Sequence, residues 1–593
     1  MTSPIAFGCL LAALAGPTAP PEDVVMKAMR DELARSIEQL RLTSLDRPYF
    51  IAYNVTEEAY LGASATFGAA LSSSEGRSRR ITVEVRVGDR KVDNTGYVAP
   101  PDFGGSGVVR SVGGTVSLPL DDDYKEIRRQ IWLATDGAYK RALEDLSRKR
   151  AYLQTKTRSD DSPDFGEAEP ANVVDNTAAP PPVRLAELEA LARSLSAVFR
   201  DVETSGTSRT SLGARALLTR YVNSEGTSFV RSSPRVTVSV TAAAQAEDGT
   251  PLEDAVTAYG RRLSELPSAA DLRVQVVEMG KRLAQLRQAP HLETYNGPVL
   301  FEGEAAAALF AQAFAPRLLA QRVPIFDSDR MAGLAENQRE NPFLDRIGSR
   351  VLPEGVNVSD DPTRGEYDGR PLLGGYKVDD DGVASHETRV VENGRLKALL
   401  TTRTPVRGQP TSTGNRRGTG PAPSNLLVSS PNGPTAAELQ AAFLKAVQAR
   451  GAEYGIVVRR MADPGSAMRA FGGGVPGMTT MSTSDRNASR IENAILAMKV
   501  FPDGREEPVR IAEIVGLNSD AFKDVAIARD QVVHTTLYRA PSLPFVSNYA
   551  GPELVSFAVP PLLFEDVSLR RPRTESPRPP VLAPPSVAPS VAP

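Results

Sequence analysis

One order of elements occurs twice in this chain: an amphipathic helix, a set of alternating strands, and a further helix. Residues 22–42 carry Val25, Met26, Met29, Leu33, Ile37 and Leu40 at helical spacing, which predicts a helix with one core-facing stripe. Alternating segments follow at 49–55, 63–71 and 80–87. The last has the strict period of two of a half-buried strand. Residues 121–154 then set Ile127, Ile131, Ala134, Ala138, Ala142 and Leu146 along one face of a long charged helix. The second set opens with a helix at 185–199. It continues through strands at 207–214, 217–223, 227–231 and 236–242, and closes with helices predicted at 251–263 and 269–288. Gly226, after Asn223-Ser224-Glu225, is a hairpin turn signal. Helices with one apolar stripe and strands with one apolar face bury each other as layers, so the fold class read here is α+β. The shared order is that of a divergent duplication, although residue identity between the two sets is slight.

From about residue 294 the pattern changes. A strand at 298–301 runs into a helix at 302–315, and one further helix is predicted at 435–449. Hairpins are predicted at 374–382, at 388–400 around Glu392-Asn393-Gly394, and at 491–501 before Pro502-Asp503-Gly504. The expected organisation is an N-terminal α+β domain over 22–290 and a β-rich domain over 291–570. Residues 156–183, rich in Asp, Glu and Pro, are read as a solvated loop. Its acids Asp160, Asp161, Asp164, Glu167 and Glu169 are also a cation-binding candidate. Residues 571–593 hold eight prolines and no periodicity, the mark of an extended tail.

Residues 5–16 form an apolar run of 12, too short for a stable bilayer span. Ending in Ala13-Leu14-Ala15-Gly16 and followed by a Pro-rich stretch, it is signal-like, without the usual preceding Lys or Arg. The expectation for 1–21 is therefore export to the periplasm or cell envelope, with a cytoplasmic location as the alternative. Lys and Arg number 69 against 72 Asp and Glu, a net charge of −3, so nothing global draws the chain to nucleic acid. The 593 residues contain three His and one Cys, Cys9. That excludes an intrachain disulfide framework and any Cys-rich zinc site.

The polar candidates are few. Glu302 and Glu304 stand at a helix start, where carboxylates favour the positive end of the dipole. His386 and Glu387 follow Asp379, Asp380 and Asp381; a His-based metal site could draw only on His291, His386 and His534, and His386, Glu304 and His534 are the candidate set for a novel one. Asp360, Asp361 and the 379–381 run are a calcium candidate, with a plain turn as the competing reading. Gly472-Gly473-Gly474 lacks the Lys and helix of a phosphate loop, and no Gly-x-Ser-x-Gly elbow occurs.

Six stretches in order carry a family resemblance. They are residues 297–310 (GPVLFEGEAAAALF), 376–383 (YKVDDDGV), 390–397 (VVENGRLK), 412–417 (STGNRR), 508–525 (PVRIAEIVGLNSDAFKDV) and 554–569 (LVSFAVPPLLFEDVSL). Residues 222–226 (VNSEG) fit beside them. Together they resemble the TldD/PmbA family, the modulator-of-gyrase metallopeptidases. The resemblance implies an N-terminal α+β domain, a mostly β C-terminal domain and dimeric assembly. In the TldD branch it also implies a His-Glu-x-x-x-His motif on the strand-into-helix segment and a late Cys. There two imidazoles and a thiolate hold zinc, and the Glu serves as base on the metal-bound water. Here the register set by Val299-Leu300-Phe301 puts Glu302 at the first His, Gly303 at the Glu and Ala307 at the second His. A shift of two puts Glu304 at the first position and still supplies no His. Beyond Asp530 stand Ser542, Ser547 and Asn548 but no Cys.

The chain thus resembles the PmbA (TldE) branch, which lacks the motif. The expected function is a non-catalytic subunit with no catalytic residue, no metal ligand and no zinc of its own. Its expected partners are a TldD-like zinc peptidase subunit, or a second copy of itself, and unfolded peptides. The alternatives are an active peptidase with rearranged residues, Glu304 and His386 being its groove candidates, and an envelope structural or binding protein that keeps only the fold.

Overall fold

The computed structural model describes residues 23–98, 115–156, 158, 161–175, 183–201, 206–326, 341–462, 491–510, 512–538 and 553–572. The signal-like segment, nearly all of the Pro-rich tail, Asp160, Gly472 to Gly474, Ser542, Ser547 and Asn548 lie outside the described residues. Among those described, no helix is long and apolar enough to cross a membrane.

The N-terminal half is one sheet with helices on one face. Its helices are α1 (Val24–Gln39), α2 (Tyr124–Thr155), α3 (Leu185–Ser196) and α4 (Ala269–Gln288). Its long strands are β1 (Pro48–Thr66), β2 (Ala69–Val87), β3 (Thr207–Asn223), β4 (Ser228–Gln245) and β5 (Pro251–Gly260). With Thr115–Ser117 and Asn172–Asp175 they make seven strands. β2, β1, β3, β4 and β5 lie in that order, each antiparallel to the next.

Strand alternation assigns the two faces. Ile51, Tyr53 and Val55 of β1 face α1 and α2. Ala63 and Ala65 of the same strand, with Leu212, Val236, Val238 and Val240, face α3 and α4. Among the described residues, no helix of this half covers the opposite face.

The strands expected separately at 207–214 and 217–223, and at 227–231 and 236–242, are each one continuous strand, and two further expectations fail here. Residues 251–260 are a strand, not a helix. Leu252 and Val256 are four apart, a spacing that serves the periods of a helix and of a strand equally, and the open edge of β4 pairs with the segment. Residues 63–71 are not one strand, because Phe67 and Gly68, both at positive φ, turn β1 into β2.

Beyond residue 290 the strands are β6 (Thr294–Phe301), β7 (Asn357–Asp360), β8 (Thr388–Glu392), β9 (Asn425–Ser429), β10 (Gly455–Met461), β11 (Ala494–Val500), β12 (Val532–Tyr538), β13 (Glu553–Val559) and β14 (Leu562–Arg570). One six-stranded sheet runs Arg395–Leu396, β8, β7, β9, β13, β12. A seven-stranded sheet contains Glu506–Val509, β11, β10, β6 and β14 in that order. Between them lies α5 (Glu304–Leu309), extended by a π-turn at Phe310–Phe314. Ala305, Ala306, Ala307, Leu309 and Phe310 are fully buried among both sheets. On β6, Val299 and Phe301 point in toward α5, while Leu300 points out to Leu439, Phe443 and Val447 of α6 (Ala436–Ala449). The hairpin around Asn393-Gly394 forms between β8 and Arg395–Leu396. The one expected at 374–382 reduces to a tight turn closed by the Val378–Ala384 bridge.

Candidate functional site

The helix-free face of the first sheet looks toward the C-terminal half, and a cleft of about 1,330 Å³ opens between them. Its floor is small and hydroxylated. Register places Ser72, Ser64, Ser211, Ser239 and Thr257 opposite one another across β2, β1, β3, β4 and β5. The last three line the cleft, beside Arg209, Thr241 and Tyr259. Its roof comes from Val533 to Thr536 of β12, from Glu304 and Ala308 of α5, and from Arg460 to Ala462 at the end of β10.

Charge is concentrated where roof and floor meet. Arg460 donates to the Ala255 carbonyl at 2.5 Å and lies 3.3 Å from Asp254. Asp254, nearly buried, also accepts from Arg282 at 2.8 Å. The Glu304 carboxylate is 3.7 Å from Arg460 and 58% exposed, the one acid that α5 presents to the cleft.

The positions assigned by motif register do not converge on this space. Ala307 is wholly buried in the core. Glu302 turns to Arg459 at 2.6 Å, and that guanidinium also pairs with Glu506 at 2.8 Å. Gly303 forms the strand-to-helix turn at φ 58, ψ −131. Of the three histidines, only His534 lines the cleft. His386 is exposed on a loop and is not among the cleft residues, so it does not join Glu304 and His534. His291 lies 2.5 Å from Asp248, beside Arg510 at 3.1 Å.

Gln312 was not singled out in the sequence. It sits in the π-turn, accepts from the Glu492 N–H at 2.8 Å and donates to the Ala462 carbonyl at 3.4 Å. Such turns are frequent at functional sites. The available signal was that Gln312 is the only polar side chain between Ala305 and Ala315.

Among the described residues no three His, Cys, Asp or Glu side chains group as a metal would need. All three histidines are described, and they lie in three separate settings.

The calcium candidates are occupied by donors of the chain itself. Asp360 accepts from the Ser424 N–H and hydroxyl and from Asn415, at 2.7, 2.8 and 2.7 Å. Its burial pushes the carboxyl up to about 6. Asp361 caps its own turn through Thr363. Asp379 accepts from the N–H groups of Asp381, Val383 and Arg416. Asp380 pairs with Arg231 and Asp381 with Arg416, at 2.5 and 2.6 Å.

The acidic stretch 156–183 is docked in its middle, contrary to its reading as a solvated loop. Asp164 is buried against Lys149 and Arg158, both at 2.6 Å. The Phe165 ring lies between the guanidinium groups of Arg86 and Arg403, 3.8 and 3.9 Å from its centroid. Asp161, Glu167 and Glu169 stay exposed.

Comparison with known proteins adds the following. A family model described as the PmbA/TldA metallopeptidase central domain matches residues 178–286, and one described as the PmbA/TldA metallopeptidase C-terminal domain matches residues 294–468. A Thermotoga maritima structure described as a modulator of a DNA gyrase superposes with a TM-score of 0.57 at 15% identity, over 92% of this chain and 99% of that one. TldE from Thermococcus kodakarensis gives 0.54 at 13% identity, over 92% and 100%. A metalloprotease of Methanocaldococcus jannaschii is 42% identical over 84 residues, 14% of this chain and 18% of that protein. The matched stretch thus spans under a fifth of that relative's length.

Proposed function

The chain belongs to the TldD/PmbA family, and from that premise we propose that it is a non-catalytic, TldE-like subunit of a metallopeptidase assembly. It pairs with a zinc-bearing TldD-like subunit and contributes its cleft to the chamber that holds unfolded peptide. The observation that carries this reading is the surface α5 turns toward the cleft. Glu304 and Ala308 stand there, backed by one histidine from another strand, and no three metal-ligating side chains gather among the described residues. A peptide needs less of this surface than a metal does. The hydroxyl floor offers donors and acceptors to a main chain of any sequence, and β12, the edge strand of its sheet among the described residues, offers a side for strand addition. Export of the chain through its first residues belongs to the same proposal.

Metal analysis and peptidase assays on the purified full chain test it. The expected result is no tightly held zinc, no activity alone, and activity on unfolded peptides when a TldD-like subunit is added. About one zinc per chain with chelator-sensitive activity would sink the reading. A second reading is favoured by one observation, that Glu304 and His534 share the cleft. In it the chain alone cleaves peptides without metal and loses that activity in Glu304→Gln.

A further inference from the structure

We propose that residues 162–166 are a clasp that holds the two halves of the molecule together and sets the width of the cleft. The inference concerns the geometry of the cleft and does not rest on what the cleft binds. Phe165 is 2% exposed. Arg86 on one side of its ring belongs to β2, and Arg403 on the other belongs to the C-terminal half; the Phe50 ring meets its edge at 4.8 Å. The flanking residues make the same bridge. Asp164 is held by Lys149 of α2 and reaches Arg322 at 3.1 Å. The Gly166 carbonyl accepts from Arg90 at 3.1 Å and from Arg403 at 2.8 Å, and the Gly166 N–H donates to the Arg403 carbonyl at 2.7 Å. Arg403 in turn pairs with Glu225 at 2.7 Å.

Two features make this a clasp and not part of a continuous core. Among the described residues, the cluster of Phe50, Ala52, Phe165, Tyr221, Phe229 and Val378 is the one apolar cluster that draws on both halves; the three large cores lie wholly on one side of residue 290 or the other. The chain itself crosses once, near residue 290, beside the Asp248–Arg510 pair at 2.8 Å. Asp248 follows the C-terminal end of β4, whereas Phe229 of the clasp cluster is at its beginning. At ~3.4 Å per residue those ends are about 58 Å apart. A joint at one end and an aromatic fastener at the other leave the cleft between them dependent on the fastener. The remaining cross-contacts include the two-residue parallel pairing of Tyr97–Val98 with Ile325–Phe326 and the polar pairs Arg460–Asp254 and Arg231–Asp380.

Paired spin labels test this in the full chain, because Cys9 is its only cysteine. In a Cys9→Ser background, Arg209→Cys labels the floor and Thr536→Cys the roof. Double electron–electron resonance should give one narrow distance for the parent protein. In Phe165→Ala the distance should broaden and lengthen by about 5 Å, one inter-strand spacing, with native circular dichroism and a larger radius of gyration. An unchanged distance distribution in folded Phe165→Ala overturns the proposal. Should that variant not fold, Arg403→Lys keeps the charge beside Glu225 but removes the planar group from the ring. The same lengthening is then expected, and an unchanged distance again overturns it.

Discussion

Asp379 is the residue whose protonation the fold has altered most consequentially. Burial, and next the neighbouring Asp381, push its carboxyl up to about 8, whereas in the unfolded chain it titrates near ~4. The folded state therefore keeps a proton that the unfolded state has lost across that window. This contribution to stability is fully present below the lower value and disappears as pH rises through the upper one. Between pH 6 and 9 the parent should lose on the order of 2 kcal/mol more than Asp379→Asn, which carries no proton to lose. Urea unfolding at the two pH values measures the difference, and equal losses would refute the assignment. Single residues are also where the sequence misled most. Asp379, Asp380 and Asp381 look like a cation loop in one dimension, but their oxygens are taken by N–H groups and guanidinium groups from distant segments. Glu304 was legible as a helix-start carboxylate and His534 as one of only three histidines, and both reach the cleft. His386 was legible on the same scarcity and lies elsewhere, because exposure and separation are properties of the fold and not of the residue. Phe165 gave no signal, since its two arginines stand 79 and 238 positions away along the chain.

The turn from β6 into α5 shows what an element can and cannot disclose. Its helix was legible from the run of alanines after Glu304. The π-turn that continues it was not, because the extra residue per turn is imposed by packing of Phe310 and Phe314 against Phe522 and Phe343. Gly303 makes the turn possible. With φ 58 and ψ −131 it occupies backbone space that side-chain-bearing residues enter only under strain. A Cβ added there would meet nothing within 4 Å, so a substitution is penalised by the backbone alone. Gly303→Ala should destabilise the chain by about 1–3 kcal/mol without altering the core around α5, as denaturant titration with near-ultraviolet dichroism would report. No loss of stability would mean that the turn relaxes freely. The strand at 251–260 carries the complementary lesson. Two apolar residues four apart are silent on period, and the choice was made by an edge of β4 that needed a partner.

At the scale of the molecule, the repeated order read from the sequence becomes a physical arrangement. The hairpin of β1 and β2 carries α1 and α2 and, through Ala63 and Ala65, shares α3 with the set from β3 to β5, which also carries α4. The two are joined edge to edge through β1 and β3, with all four helices on one side. This leaves the opposite face free to become the floor of a cleft, which neither unit alone could enclose. Local periodicity revealed the units, but nothing local revealed that they share a sheet, because that depends on the pairing of residues some 150 positions apart, such as Ala59 with Ala216. Both cores of this half draw only on residues before 290. The half should therefore fold without the rest. A chain of residues 23–290 is expected to show native-like helix and strand dichroism and one cooperative urea transition. Its loss of stability relative to the intact protein should be moderate, because both large cores are kept and what is forfeited is the cluster around Phe50, Phe165, Tyr221 and Phe229, the pairing of Tyr97–Val98 with Ile325–Phe326, and polar pairs such as Asp254–Arg460 and Asp248–Arg510. A fragment lacking a cooperative transition would show instead that the first sheet depends on the second half for its order, and that the boundary near 290 divides the chain but not the folding unit.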